Sequence, residues 1–166
     1  MDPASEARLQ QVHPSLAYKV RKMADLLKES GVTIKVTQGL RSWNDQLALW
    51  LKGRDVHGNI TDASKIVTKA APGHSWHNLG LAVDVAPFND NTPDWNLDHP
   101  VWKKIVAVGE SLGLTSGSQW RTFPDWPHFQ LTGQWPVSPN DEVRQTFLNG
   151  GISAVLDEAK ITEENA

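Results

Sequence analysis

Residues 75–84 read SWHNLGLAVD, and they place an imidazole, His77, and a carboxylate, Asp84, on either side of a glycine. Asp84 interrupts the apolar run Leu81-Ala82-Val83-Asp84-Val85. That run has the length and composition of a strand, in which alternate side chains share a face. Asp84 then points the same way as Ala82, and Leu81, Val83 and Val85 point to the opposite, packed face. A carboxylate in apolar surroundings is costly unless it is paired or bound to a metal. Either Asp84 meets an arginine or lysine, or it meets a cation; His77 nearby bears on both.

Working outward, the chain divides into elements of both kinds. Leu16, Val20, Met23 and Leu27 recur on one helical face, with Pro14 suited to the first turn and Gly31 to the stop. VTIKV at 32–36 alternates as a half-buried strand. Ser42 is a suitable N-cap for a second helix, whose buried side is expected to be Leu47, Trp50 and Leu51. Residues 53–74 show no sustained period, and a loop that long in a compact domain usually serves function. A further loop is expected over PFNDNTPDWNLDH at 87–99. Pro100 then opens a third helix with Val101, Ile105, Val108 and Leu112 on its face, and HFQL at 128–131 alternates as another strand. Residues 141–159 predict two short helices broken at Gly150-Gly151, and residues 160–166 a frayed tail. The expected fold is α+β: a small, mostly antiparallel sheet with helices packed on one side, in one domain spanning 1–166.

Composition narrows the function classes. The net charge of −3, with acids and bases interleaved, argues against nucleic-acid or membrane-surface binding. Cysteine is absent, so neither disulfides nor thiolate ligands contribute. The N-terminal MDPASEARLQQ lacks the basic and apolar regions of a secretory signal, and no run reaches the roughly 18 apolar residues of a membrane helix. The expectation is a soluble monomer made in the cytoplasm without an export signal. Eight tryptophans stand against one tyrosine. Most read as packing residues, and the remainder could line a groove for a sugar or a flexible peptide.

Of the six histidines, His13 and His99 sit at helix starts, and His57 lies in the long loop. His74 precedes His77 by a metal-compatible interval. His77 and His128 each have a carboxylate nearby, Asp84 and Asp125 respectively. Two histidines and one aspartate meet the ligand count of a catalytic zinc site without any cysteine.

The pattern Ser-x-His-x-x-Gly-x-Ala-x-Asp at 75–84 resembles the zinc peptidases that comprise D-alanyl-D-alanine carboxypeptidases and dipeptidases and the L-alanyl-D-glutamate endopeptidases of phage endolysins. GLRSWNDQ at 39–46 and PDWPHFQ at 124–130 are similar to two further motifs of that family, the latter in the Asp-x-Pro-His form of the endolysin branch. PSLAYKV at 14–20 and NGGISAV at 149–155 look like the same branch. The resemblance implies His77, Asp84 and His128 as zinc ligands and Asp125 as general base and acid. It implies Arg41 as binder of a substrate carboxylate or oxyanion, and Gln46 and Ser75 as aids to positioning substrate or the attacking water. It further implies hydrolysis of an amide in the peptidoglycan stem peptide, in the first instance the L-alanyl-D-glutamate bond, with D-alanyl-D-alanine cleavage as the alternative. Action on the wall after release from the cytoplasm follows from that reading. The signalling domain of Hedgehog proteins resembles the same zinc fold yet acts chiefly as a binding module; here ligands, base and arginine are all present. One departure is Ser116-Gly117-Ser118-Gln119-Trp120, where the endolysin branch has Trp-Gly-Gly-Asp-Trp.

Overall fold

The computed structural model describes residues 1–158, with backbone alone over 156–158; the tail expected at 160–166 lies outside the described residues. The chain runs α1 (Pro3–Leu9), α2 (Pro14–Glu29), β1 (Ile34–Gln38), α3 (Trp43–Trp50), β2 (Ala82–Asn89), β3 (Thr92–Pro93), α4 (Val101–Ser111), β4 (Thr115–Gly117), β5 (Asp125–Gln130) and α5 (Asp141–Glu158). Short 3-10 turns occupy Ala63–Lys65 and Trp76–Leu79. The fold is α+β, as expected. The strands form one antiparallel sheet in the order β1-β2-β5-β4, with β3 pairing β2 as a hairpin. No helix among the described residues is long and apolar enough to cross a membrane.

Strand alternation decides which side chains reach the core and which reach the site. Val83 lies opposite Phe129, and Val85 opposite Val36, and all four are buried. Asp84 lies opposite both His128 and Gln38, on the other face. Helices α2 and α4 pack on each other and against the Val83 face. A Cβ on Gly109 of α4 would stand 2.4 Å from the Phe129 ring, so the missing side chain is what lets the phenyl ring lie flush on the helix. Removing a phenyl group buried in this way costs roughly 3–5 kcal/mol.

Both core helices stop in the same manner. Val32 N–H donates to Leu27 O and Gly31 N–H to Lys28 O after α2; Leu114 N–H donates to Gly109 O and Gly113 N–H to Glu110 O after α4. These are the paired bonds of a Schellman ending. The ending explains why β1 begins two residues later than VTIKV suggests: the Val32 amide is already committed to the helix. Helix α1 was not anticipated. Asp2 caps it by accepting from Ser5 N–H, and Pro3 fills its first turn. It covers the open edge of the sheet, because Val36 N–H donates to Ser5 Oγ at 2.9 Å and Arg8 Nη1 donates to Val36 O at 3.1 Å.

Four further expectations need correction. The buried residue of α3 is Gln46, whereas Leu47 is 40% exposed, because the helix packs on a polar cleft wall rather than on the core. The buried face of α4 is Trp102, Ile105, Val106 and Gly109; Val101, Val108 and Leu112 are only partly covered. Residues 87–99 contain the end of β2 and β3 instead of a plain loop. Strand β5 starts at Asp125, three residues before HFQL, and pairs with an unanticipated β4. The break in α5 falls at Gly151, whose φ of 70° departs from helical geometry as expected of the Gly-Gly pair.

Candidate active site

His77 lies on the 3-10 turn Trp76–Leu79. Ser75 caps that turn by accepting from His77 N–H at 3.3 Å, and Gly80 ends it at a φ of 73°, a conformation open to glycine. The turn is stitched to the segment before α3. Arg41 N–H donates to His77 O at 2.9 Å, and Asn78 Nδ2 donates to Arg41 O at 3.0 Å. Arg41 and His77 are therefore held as one unit, although 36 positions separate them in the chain.

Asp84 meets an arginine and two imidazoles together. Its Oδ2 faces the Arg41 guanidinium at 3.7 Å, and its Oδ1 stands 3.1 Å from His77 Nε2 and 3.5 Å from His128 Nδ1. Burial raises the Asp84 carboxyl, but the charge of His77 and hydrogen bonds from His128 and His77 more than reverse this, leaving it well below the usual carboxylate range.

The proton positions on the two rings follow from their outer partners. His77 Nδ1 is 2.9 Å from Gly39 O, a carbonyl that can only accept, so the proton sits on Nδ1. Gln130 Nε2 donates to Val137 O, which turns its Oε1 toward His128 Nε2 at 2.9 Å and places that ring's proton on Nε2. The inner nitrogens, 3.2 Å apart, therefore face each other and Asp84 Oδ1. Against the effect of burial, the Asp84 carboxylate raises the proton affinity of His128, and a bound cation would take the place of a proton in the space the three groups share. The ligand atoms of His77, Asp84 and His128 all fall within 4.8 Å of one another. Two nitrogens and one carboxylate oxygen, each imidazole oriented by an outer acceptor, suit a divalent transition metal such as zinc.

The set opens onto a cleft of about 630 Å³ that also takes in Arg41, Ser75 and Asp125. Asp125 stands outside the three-residue cluster but in the same cleft. The β4–β5 register explains how it gets there: Ser116 pairs with Phe129, whereas the next residue, Gly117, pairs with Asp125. Residues 126–128 are thus accommodated in a bulge, which Pro127 favours by holding Trp126 extended, and Asp125 and His128 escape the opposite faces to which a regular strand would send them. Gly117 permits it, since a Cβ there would lie 2.7 Å from Asp125 O. Burial pushes the Asp125 carboxyl up and the Asp84 charge adds to this, against the opposing influence of His128, His77 and Arg41.

Gln46 takes a place behind the cleft. It is fully buried, accepts from Arg41 Nη1 at 2.9 Å and donates to Ala70 O at 2.8 Å. His74 lines the cleft but contacts Arg144, at 3.4 Å, and is not part of the His-Asp-His cluster. His13 and His99 cap helix starts as expected, accepting from Ser15 N–H and Val101 N–H. Gln130, Asn78 and the Gly39 carbonyl were not anticipated. Gln130 had a signal, being two residues beyond His128 on one strand face; a backbone carbonyl has none. Trp120 lies with its ring 4.8 Å from that of His128. The segment before it closes on itself, Ser118 N–H donating to Ser116 Oγ at 3.1 Å and Trp120 N–H to Gly117 O at 3.2 Å, so Ser118 and Gln119 sit in a complete turn.

A model of the VanY D-alanyl-D-alanine carboxypeptidase family matches residues 9–115. This chain belongs to that VanY family. The match takes in Arg41, His77 and Asp84 and stops short of Asp125 and His128, which the sheet brings to the same place. Among VanY-family relatives, the peptidoglycan L-alanyl-D-glutamate endopeptidase CwlK of Bacillus subtilis (strain 168) is 33% identical over 124 residues, covering 68% of this chain and 71% of that protein. The solved structure of the L-Ala D-Glu endopeptidase ChiX of Serratia marcescens superposes with a TM-score of 0.57 at 28% identity, over 80% of this chain and 89% of that one. The D,D-pentapeptidase VanY from a VanB-type resistance cassette, solved with Zn(II), has a TM-score of 0.57 at 17% identity over 89% and 83%, a likeness of fold. The VanY-family chain described here is accordingly a peptidoglycan peptidase.

Proposed function

We propose that this peptidase is a zinc-dependent endopeptidase that hydrolyses the L-alanyl-D-glutamyl amide of the peptidoglycan stem, acting on the cell wall as a monomer. The observation that carries the reading is the convergence of three potential ligand atoms, His77 Nε2, His128 Nδ1 and Asp84 Oδ1, in a cleft shared with Asp125 and Arg41. CwlK and ChiX support the choice of bond. Every residue the reading requires comes from a single chain, so no second copy is needed.

His77, Asp84 and His128 would hold the metal. Zinc bound there would act as a Lewis acid toward a carbonyl oxygen and bring the pKa of a water toward about 7. Asp125, half-buried and raised in proton affinity, takes a proton from the attacking water and returns it to the departing amine. Arg41 can receive a stem carboxylate or the developing oxyanion through the guanidinium donors that Gln46 and Asp84 leave free. Gln46 serves by fixing that guanidinium, and Ser75 by capping the turn that carries His77 while its side chain lines the cleft.

The second reading, removal of a terminal D-alanine, is favoured by the same Arg41, which pairs with a C-terminal carboxylate as readily as with an internal one. Mass spectrometry of purified muropeptides after digestion separates the two. Release of the stem beyond L-alanine supports the endopeptidase, loss of D-alanine alone supports the carboxypeptidase, and unchanged muropeptides with the metal site loaded would refute both.

A further inference from the structure

Residues 67–70, which line the cleft, have no regular secondary structure, yet they are held from behind. Arg54, with its guanidinium over the Trp50 ring at 5.1 Å, donates from Nη1 to Trp50 O at 2.6 Å and to Thr68 O at 3.1 Å. Two residues on, Gln46 Nε2 donates to Ala70 O, and Ala70 N–H donates to Thr68 Oγ1 at 3.2 Å. The segment is pinned at alternate residues to α3 and the turn that follows it.

Between the two pins stands Lys69, exposed and lining the cleft. Among the described residues it makes no hydrogen bond or ion pair. The other cation in the lining, Arg41, already faces Asp84 and Gln46. Of the lining carboxylates, Asp84 is committed to Arg41 and the two histidines, and Asp125 makes no ion pair with Lys69. Lys69 thus carries a positive charge with no ion-pair partner among the described residues, on a backbone whose position is set by Arg54 and Gln46.

We propose that Lys69 determines specificity by receiving a carboxylate of the stem peptide other than the one that reaches Arg41. The protein then prefers stems in which the residue after D-glutamate bears a free carboxylate over stems in which that group is a carboxamide. This inference rests on the peptidoglycan reading above. An ammonium is a point charge that a carboxamide of the same shape cannot satisfy, so the acid and amide forms of one peptide isolate the effect. Anchoring at residues 68 and 70 limits the freedom lost when the pair forms. An exposed pair of this kind is worth about fivefold in affinity at most.

The test uses the zinc-loaded full chain, its Lys69→Gln, Lys69→Arg and Lys69→Glu variants, and two stem peptides differing only in that carboxylate or carboxamide. The wild-type protein should favour the acid by about fivefold in kcat/KM, carried by KM. Lys69→Arg should keep the preference, Lys69→Gln should bring the ratio to about one, and Lys69→Glu should invert it. A ratio unchanged across the series, or equal losses on both peptides, would overturn the proposal. If the wild-type protein cleaves neither peptide, the functional reading fails by itself. Calorimetric binding of the same two peptides to the same variants then still reads the acid-to-amide ratio and decides the role of Lys69.

Discussion

His77 Nε2 and His128 Nδ1 face each other at 3.2 Å, with the opposite nitrogen of each ring held by an oxygen acceptor. The arrangement is imposed from outside the pair, by Gly39 O on one ring and Gln130 Oε1 on the other. A bound cation would therefore meet two imidazoles already turned toward it by the folded chain.

Metal removal should lower stability. A ligand present at a thousand times its dissociation constant adds about 4 kcal/mol to folding. The melting temperature should fall on dialysis against chelator and return on addition of zinc. An unchanged Tm would mean that the three acceptors are not a metal site.

Gln130→Leu keeps the volume of the side chain and removes the acceptor that fixes the His128 tautomer. Loss of such an outer partner typically costs about 10–100-fold in metal affinity. Competition with a chromogenic chelator measures it. Wild-type affinity in the variant would show that His128 is oriented by something other than Gln130.

Gly117→Ala puts a Cβ 2.7 Å from the carbonyl oxygen of Asp125. Overpacking of that kind costs about 1–3 kcal/mol. Because the displaced backbone carries Asp125, turnover per folded molecule should fall as well, while zinc content is kept. Gly109→Ala, aimed at the Phe129 ring, serves as the comparison: it should destabilise with little change in turnover per folded molecule.

Much of this was legible in the chain itself. The alternation around Asp84 correctly separated the Val83 core face from the site face, and His13, Pro14 and Ser42 mark real helix starts. Pro127, set between Asp125 and His128, is a local cue to the bulge that the β4–β5 register contains. What escaped reading has a common cause, which is that it depends on partners distant in the chain. The face of α4 is turned by the fit of Phe129 onto Gly109, and a glycine carries no apolar signal. Gln46 is buried because Arg41 and Ala70 O saturate its amide, so hydrophobic periodicity pointed to Leu47 instead. Gly39 acts through its carbonyl, which any residue could supply. Helix α1 announced itself only by Asp2-Pro3, too short a cue until the open edge of β1 is in view.

Asp125→Asn should retain the fold and lose most turnover, since positioned acid-base groups contribute on the order of 10²–10⁴-fold. Hydrolysis of a stem peptide, normalised to folded protein, reads the loss. Activity close to wild type would remove Asp125 from the chemistry.

The division of labour between the two aspartates is the centre of the account, and zinc stoichiometry tests it most directly. Elemental analysis of the wild-type protein, Asp84→Asn and Asp125→Asn, purified alike and shown to be folded, should find about one zinc per chain in the first and third. The folded Asp84→Asn protein should hold little or none. Zinc kept by Asp84→Asn, or lost from Asp125→Asn, would contradict the assignment of Asp84 as ligand and Asp125 as acid-base group.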